Sequence, residues 1–170
     1  EDGSWITDTN VELRPLAVGL LDGVAPELQL TGEAWGSVSV DGALDDARVV
    51  IDLAVQDGRV QGRGRIDLGD PAAAYRMELE ADDLPLSEIS TRFPERSSWS
   101  GALQVEGFGI APDSMMLDLV GAAHASRLGA VIVDTLSTGI RIRNGVLITD
   151  SLRATVGGVE VTGRGRLGLV

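Results

Sequence analysis

Strict alternation of apolar and charged side chains is the feature that most limits what this chain can fold into. In Tyr75-Arg-Met-Glu-Leu-Glu-Ala-Asp82, Tyr75, Met77, Leu79 and Ala81 occupy one parity and Arg76, Glu78, Glu80 and Asp82 the other. Only a β-strand separates the two sets, because successive side chains leave opposite sides of the pleat. Ala102–Glu106, Ile140–Arg143 and Val159–Thr162 alternate in the same way. Strands of this kind build antiparallel sheets with one apolar and one wet face.

The punctuation agrees. Asp57-Gly58 and Asn144-Gly145 fall between alternating runs and predict hairpin turns, since a type I′ turn needs positive φ at both central residues. Asp22-Gly23 and Asp41-Gly42 are weaker candidates for the same role. Helix signals are few. Leu84–Phe93 is expected to hold one short helix, beginning near Pro85 or Ser87 and ending at Pro94, with Arg14–Leu21 its counterpart upstream. Arg92–Ser100 is the most polar stretch and reads as a linker. The expectation is an all-β chain, an elongated curved antiparallel sheet of about ten strands with at most one or two short helices.

The chain also echoes itself. Gly36-Ser-Val-Ser-Val-Asp-Gly42 returns as Gly101-Ala-Leu-Gln-Val-Glu-Gly107, both glycines shifted by 65 residues (36 to 101, 42 to 107), and each is followed by an apolar strand, Val49–Val55 and Met115–Val120. Leu13-Arg-Pro-Leu16 is answered by Leu84-Pro-Leu86. Gly62-Arg-Gly-Arg-Ile-Asp-Leu68 returns as Gly163-Arg-Gly-Arg-Leu-Gly-Leu169, shifted by 101 (62 to 163). Self-similarity of this sort marks stacked units sharing a continuous buried face. It predicts that residues 1–170 are a single piece of a longer array, with an internal repeat at approximately 13–83 and 84–170.

Composition excludes several functions. A net charge of −12 repels nucleic acid and anionic lipid surfaces. No Cys is present, so neither a disulfide nor a thiolate metal site is available. Aromatics at 4% are too scarce for the girdles of an outer-membrane barrel. No apolar stretch is long enough to span a bilayer as a helix.

Candidate chemistry reduces to little. Gly-Arg-Gly-Arg suggests a phosphate cradle, but a cradle opens into a helix, and both copies run into strand. There Arg63 and Arg65 share the polar face with Asp67, while Gly62 and Gly64 fall on the apolar face with Ile66 and Leu68. Glycine on an apolar face removes volume where a sheet bends or something approaches. His124, the one histidine, has no nucleophile elbow or acid beside it. Asp45-Asp46 and Asp82-Asp83 lack the ligand series of a calcium loop and read as turn residues. Trp35 and Trp99 sit at repeat boundaries and, with Trp5, read as core plugs in preference to sugar platforms. Neither catalysis, nor a metal, nor a cofactor is expected.

Asp83-Leu-Pro-Leu-Ser-Glu-Ile89, Gly101–Gly107 and Asn144-Gly-Val-Leu-Ile-Thr-Asp-Ser-Leu152 give a repeating plan. A Leu-Pro-Leu segment precedes a Gly-bounded strand, then an apolar strand, then an Asn-Gly or Asp-Gly turn. This plan resembles the periplasmic AsmA-like and TamB proteins of Gram-negative bacteria. The resemblance covers nearly the whole chain. It implies a "β-taco", a repeating β-groove lined with apolar side chains, in a protein anchored in the inner membrane by a helix outside this piece. It further implies transport of phospholipid across the periplasm, or assembly of outer-membrane and secreted proteins, without catalytic residues. The partners implied are phospholipid acyl chains or unfolded β-strand clients, with an outer-membrane assembly partner reached through the parent protein.

The residues expected to line such a groove are Ile51, Leu53, Val55, Ile66, Leu68, Tyr75, Met77, Leu79, Leu103, Val105, Leu117, Leu119, Ile140, Ile142, Val159 and Val161. The competing expectation is a closed β-sandwich for adhesion or scaffolding, in which the same residues are sealed core. The alternation alone serves both.

Overall fold

In a computed structural model, which describes residues 6–17, 29, 31–67, 69, 73–109 and 114–168, ten strands form one open antiparallel sheet. They are β1 (Ile6–Ala17), β2 (Glu33–Ala43), β3 (Asp46–Val55), β4 (Gly58–Asp67), β5 (Ala74–Pro85), β6 (Ser98–Phe108), β7 (Met116–Leu128), β8 (Val131–Arg143), β9 (Val146–Val156) and β10 (Val159–Gly168). Their order in the sheet is their order in the chain. One helix of four residues, α1 (Leu86–Ile89), interrupts the meander between β5 and β6. The elongated, curved all-β architecture is therefore that of the expectation. All ten strands belong to one sheet, so the two-layer sandwich is not what the described residues build.

Local chemistry explains the connections. Asn144 and Gly145 both take positive φ (50° and 71°), as a primed hairpin turn requires. Gly157 and Gly158 do the same between β9 and β10, at φ 56° and 81°. The first hairpin signal is displaced by one residue. The turn after β3 is Gln56-Asp57, with Gln56 at φ 51°, and Gly58 already pairs with Val55 as the first residue of β4. Asp41-Gly42 is not a turn. It lies inside β2, and the reversal falls at Leu44-Asp45, where Ala43 pairs with Asp46. Asp22-Gly23 is outside the described residues.

Two other segments depart from expectation. The helix ends at Ser90, whose amide donates to the Leu86 carbonyl, well before Pro94. Four residues are too few to sustain a helix without tertiary support. Support comes from Thr31: its amide donates to the Ile89 carbonyl at 2.7 Å and its Oγ1 to the Glu88 carbonyl at 3.2 Å. Arg14–Ala17, in the proposed upstream counterpart, are strand, and 18–21 lie outside the described residues. The 92–100 segment is not a free linker either. Ser98–Ser100 open β6, and Ser97 and Ser100 are buried.

Buried serines stitch the irregular stretch together. The register slips between Ala81 and Leu84, and again between Ser98 and Ser100. Such bulges free backbone groups that need partners. The Asp83 amide donates to Ser100 Oγ at 2.9 Å, and the Ser100 amide to Ser126 Oγ at 3.1 Å. The Gly129 amide donates to Ser97 Oγ at 3.1 Å.

Both parts of the 65-residue echo land at equal heights of the sheet. Gly36 in β2 and Gly101 in β6 occupy one cross-strand row, and Gly42 and Gly107 another. The 101-residue echo instead relates β4 to β10. One spacing thus moves the pattern four strands and the other six, which is why no single period describes the chain.

Candidate functional site

Cross-strand partners lie on the same face, so the register alone assigns every residue to a side. One row runs Val38–Ile51–Gly62–Leu79–Leu103–Gly121–Thr138–Leu152–Gly163. The next runs Val40–Val49–Gly64–Met77–Val105–Leu119–Ile140–Thr149–Gly165. A third passes through Ile66, Tyr75, Leu117 and Ile142, and a fourth through Leu53, Ala81, Leu136 and Val161. Val55 and Val159 fall on the same side, beyond the fourth row. All sixteen expected lining residues share this face except Leu68, which is outside the described residues.

Except at the end where α1 packs, nothing among the described residues covers this face, and contacts between strands are essentially confined to neighbours in the sheet. Away from β10 its exposure is nevertheless low. Ile51, Leu53, Ile66, Met77, Leu79, Leu103, Val105, Leu117, Leu119, Ile140 and Ile142 are all half-buried. On the opposite face Val50 and Val120 stand 43% and 60% exposed. A sheet with no second layer shelters one side more than the other when that side is concave. Among the described residues the buried apolar ones are mostly small, five of the eight being alanine, so most of the large side chains are not sealed away.

Glycine sets the depth of this surface. A Cβ on Gly62 would lie 2.5 Å from Leu79 Cδ2, on Gly64 2.2 Å from Met77 Sδ, on Gly107 2.5 Å from the Tyr75 ring and on Gly121 2.8 Å from Leu103 Cδ2. Each large side chain lies down across the glycine of the neighbouring strand. The result is a low lining in which bulky groups do not fill the middle of the face. Tyr75 adds a polar tip. Its hydroxyl donates to the Gly109 carbonyl at 3.3 Å, and burial pushes the phenol above its ordinary value.

The reverse face is charged. Arg63 and Glu78 are directly opposite and paired at 2.8 Å, as are Arg76 and Glu106 at 2.7 Å. Arg59–Asp52, Arg65–Asp46 and Arg141–Asp150 close diagonals at 2.7, 2.7 and 2.6 Å. Exposed pairs of this type add little stability each. They do fix which side faces water, since burying them against a second layer would cost several kcal/mol per ion. Both arginines of the first Gly-Arg-Gly-Arg therefore serve acids on the wet face, and its glycines serve the apolar one. His124 is exposed on β7, opposite Ser100 and Thr135.

One end of the apolar face is closed. Ala34, Val55, Ala81 and Leu84 form a buried cluster, with Val60, Leu86, Ile89 and Trp99 packed on it. Trp99 is thus a plug, as expected. Trp35 is not: it pairs with Ala54 on the charged side and is 42% exposed. Trp5 is outside the described residues. At the other end of the sheet, Val159, Val161 and Leu167 of β10 stay open, at 64%, 45% and 61% exposure.

The expected lining omits several residues of the same rows. Val38 and Val40 alternate plainly in Ser-Val-Ser-Val and were legible. Leu147 and Leu152 were not, because β9 carries an extra residue beside Asp150 that shifts the phase. Thr138 was hidden by its polarity. Its Oγ1 is the unpartnered buried side-chain oxygen among the described residues.

Neither a protein-family model, nor a curated protein, nor a solved structure matches this chain.

Proposed function

We propose that this chain is a non-enzymatic segment of an AsmA-like, TamB-type periplasmic protein, and that its apolar face is a trough for phospholipid acyl chains. The observation that carries the reading is the set of largely apolar rows, half-sheltered, without a second covering sheet and backed by a charged face. Apolar surface left wet costs roughly 25 cal/mol per Å², so a guest of matching character is favoured there. A conduit needs many shallow apolar contacts and few fixed polar ones, so that a chain can slide. Side chains laid over glycines supply such a lining. In the parent protein, anchored in the inner membrane, the trough contributes to phospholipid transport or to outer-membrane protein assembly.

Photo-crosslinking of the folded chain to acyl-chain probes tests this. Leu79→Glu and Val105→Glu place a charge in two adjacent rows and are expected to lower labelling at least tenfold. Val50→Glu, on the opposite face, is expected to leave it unchanged. Equal labelling of all three variants removes the trough. Circular dichroism confirms that each compared variant keeps its strands.

A further inference from the structure

One hairpin tip of this sheet is unlike the others described. The reversals at Leu44-Asp45, Gln56-Asp57, Asn144-Gly145 and Gly157-Gly158 each carry a polar residue or are glycine. Strands β7 and β8 are instead joined through Leu128-Gly-Ala-Val-Ile-Val133, six consecutive residues without a polar side chain. The run is not core. Leu128, Val131 and Ile132 are 46%, 46% and 50% exposed, and Ala130 is exposed as well. An apolar run of this length left open to water is unfavourable unless something covers it.

The tip also projects. Arg127 is opposite Ser98, the first residue of β6, and Val133 is opposite Val156, the last residue of β9. Leu128 to Ile132 therefore extend past both neighbouring strands. Both β7 and β8 are interior to the sheet, so the projection owes nothing to its margins. Leu128 and Val131 pair with each other, and Ser97 Oγ accepts from the Gly129 amide. The tip is thus a held projection with much of its backbone satisfied.

Cations collar its base. Arg127 precedes Leu128, and Arg96 borders the same cleft as Arg127 and Ile132. Among the described residues neither makes an ion pair, whereas Arg141 and Arg143, at the other end of β8, both do. The acids around that cleft, Asp57, Asp83 and Glu88, come from the β3–β4 turn, β5 and α1. The acid that follows the run, Asp134, accepts from the Gly158 amide at 3.2 Å.

Size decides which kind of partner fits. A stable protein interface takes ~800 Å² from each side and centres on anchors seated in pockets. A convex tip with three large aliphatic side chains and no aromatic ring supplies neither. A bilayer requires less: aliphatic side chains pass below the headgroups while arginines stay level with the phosphates. Unpaired backbone in hydrocarbon is costly, so entry stops in the interfacial zone, roughly 5–10 Å deep.

We propose that the β7–β8 tip is an interfacial hook for a phospholipid bilayer, with Leu128, Val131 and Ile132 below the headgroups and Arg96 and Arg127 at lipid phosphates. The bilayer it fits is zwitterionic, since a net charge of −12 makes an anionic surface repel the rest of the chain. The tip lies beyond the apolar rows and does not rest on the acyl-chain reading of the trough.

Vesicles of phosphatidylcholine supply the probe, read by co-flotation with the whole chain. Because the chain has no Cys, Ala130→Cys carries one environment-sensitive fluorophore, and Asp45→Cys in the β2–β3 turn is its control. Flotation, with a blue shift of the label at 130 and none at 45, is the expected result. Ile132→Asp, Val131→Asp and Arg127→Glu alter exposed side chains. Each is expected to weaken flotation at least tenfold without changing the melting temperature. Leu79→Glu, in the trough, is expected to float as the unaltered chain does, so failure of the trough and failure of the hook are read separately. The proposal is overturned if the chain does not float, if the tip variants float equally well, if both labels shift alike, or if Leu79→Glu abolishes flotation. It is also overturned if the chain self-associates and Ile132→Asp makes it a monomer, because a second copy then covers the tip.

Discussion

Leu79 lies across Gly62, with its Cδ2 in the space that a β-carbon there would take. Met77 treats Gly64 likewise, but a β-carbon at Gly64 would also lie 2.2 Å from the Arg76 carbonyl oxygen. The two glycines therefore differ in what must yield. At Gly62 a flexible side-chain end can turn aside, for about 0.5–1.5 kcal/mol. At Gly64 the backbone of β5 must move, so Gly64→Ala is expected to cost about 1–3 kcal/mol and Gly62→Ala less. Gly165→Ala, with open space around it, is expected to gain about 0.4–1 kcal/mol from the restricted unfolded chain. Urea unfolding of the three variants measures the order. An equal loss at all three positions would show that the lining is not laid over glycine.

Thr138 and Ser126 are both buried hydroxyls with opposite bookkeeping. Among the described residues Thr138 Oγ1 has no partner, whereas Ser126 Oγ accepts from the Ser100 amide and donates to the His124 carbonyl at 3.1 Å. Thr138→Val keeps the shape and removes an unpaired oxygen, so it is expected to stabilise by about 1 kcal/mol. Ser126→Ala leaves the bulge amide without its acceptor and is expected to destabilise by about 1–3 kcal/mol. Thermal melting of each variant checks the signs.

Asp52 and Asp150 respond to acid. The hydrogen bond from Arg59 holds the Asp52 carboxyl below its ordinary value of 3.8, and that from Arg141 does the same for Asp150. A carboxylate depressed in the folded state contributes stability above its unfolded value and loses it as pH falls through the folded one. Below pH 3.8, therefore, the stability difference between the unaltered chain and Asp52→Asn or Asp150→Asn is expected to shrink, and at neutral pH to be small and salt-sensitive. Melting curves from pH 2 to 7 (roughly the window of carboxylate titration) test this. A difference that grows on acidification would reverse the assignment.

Much of the architecture was legible because period two carries through single strands. Alternation at Tyr75–Asp82 and Ile140–Arg143 assigned each side chain to a face without knowledge of the neighbours. The failures sit where the sheet departs from that period. The extra residue in β9 put Leu147 and Leu152 out of phase, and Gln56, a poor turn former by type, took the positive φ that Asp57-Gly58 advertised. The serine stitching at Ser97, Ser100 and Ser126 joins residues brought together only by the register slips, so nothing local announced it.

The strict succession of strands makes cooperativity a matter of nearest neighbours. A lesion in β3 weakens β2 and β4 directly and reaches β8 only through every hairpin between. Opening is expected to travel from strand to strand like an opening zip, with the serine-stitched segment from β5 to β7 the last to surrender its amides.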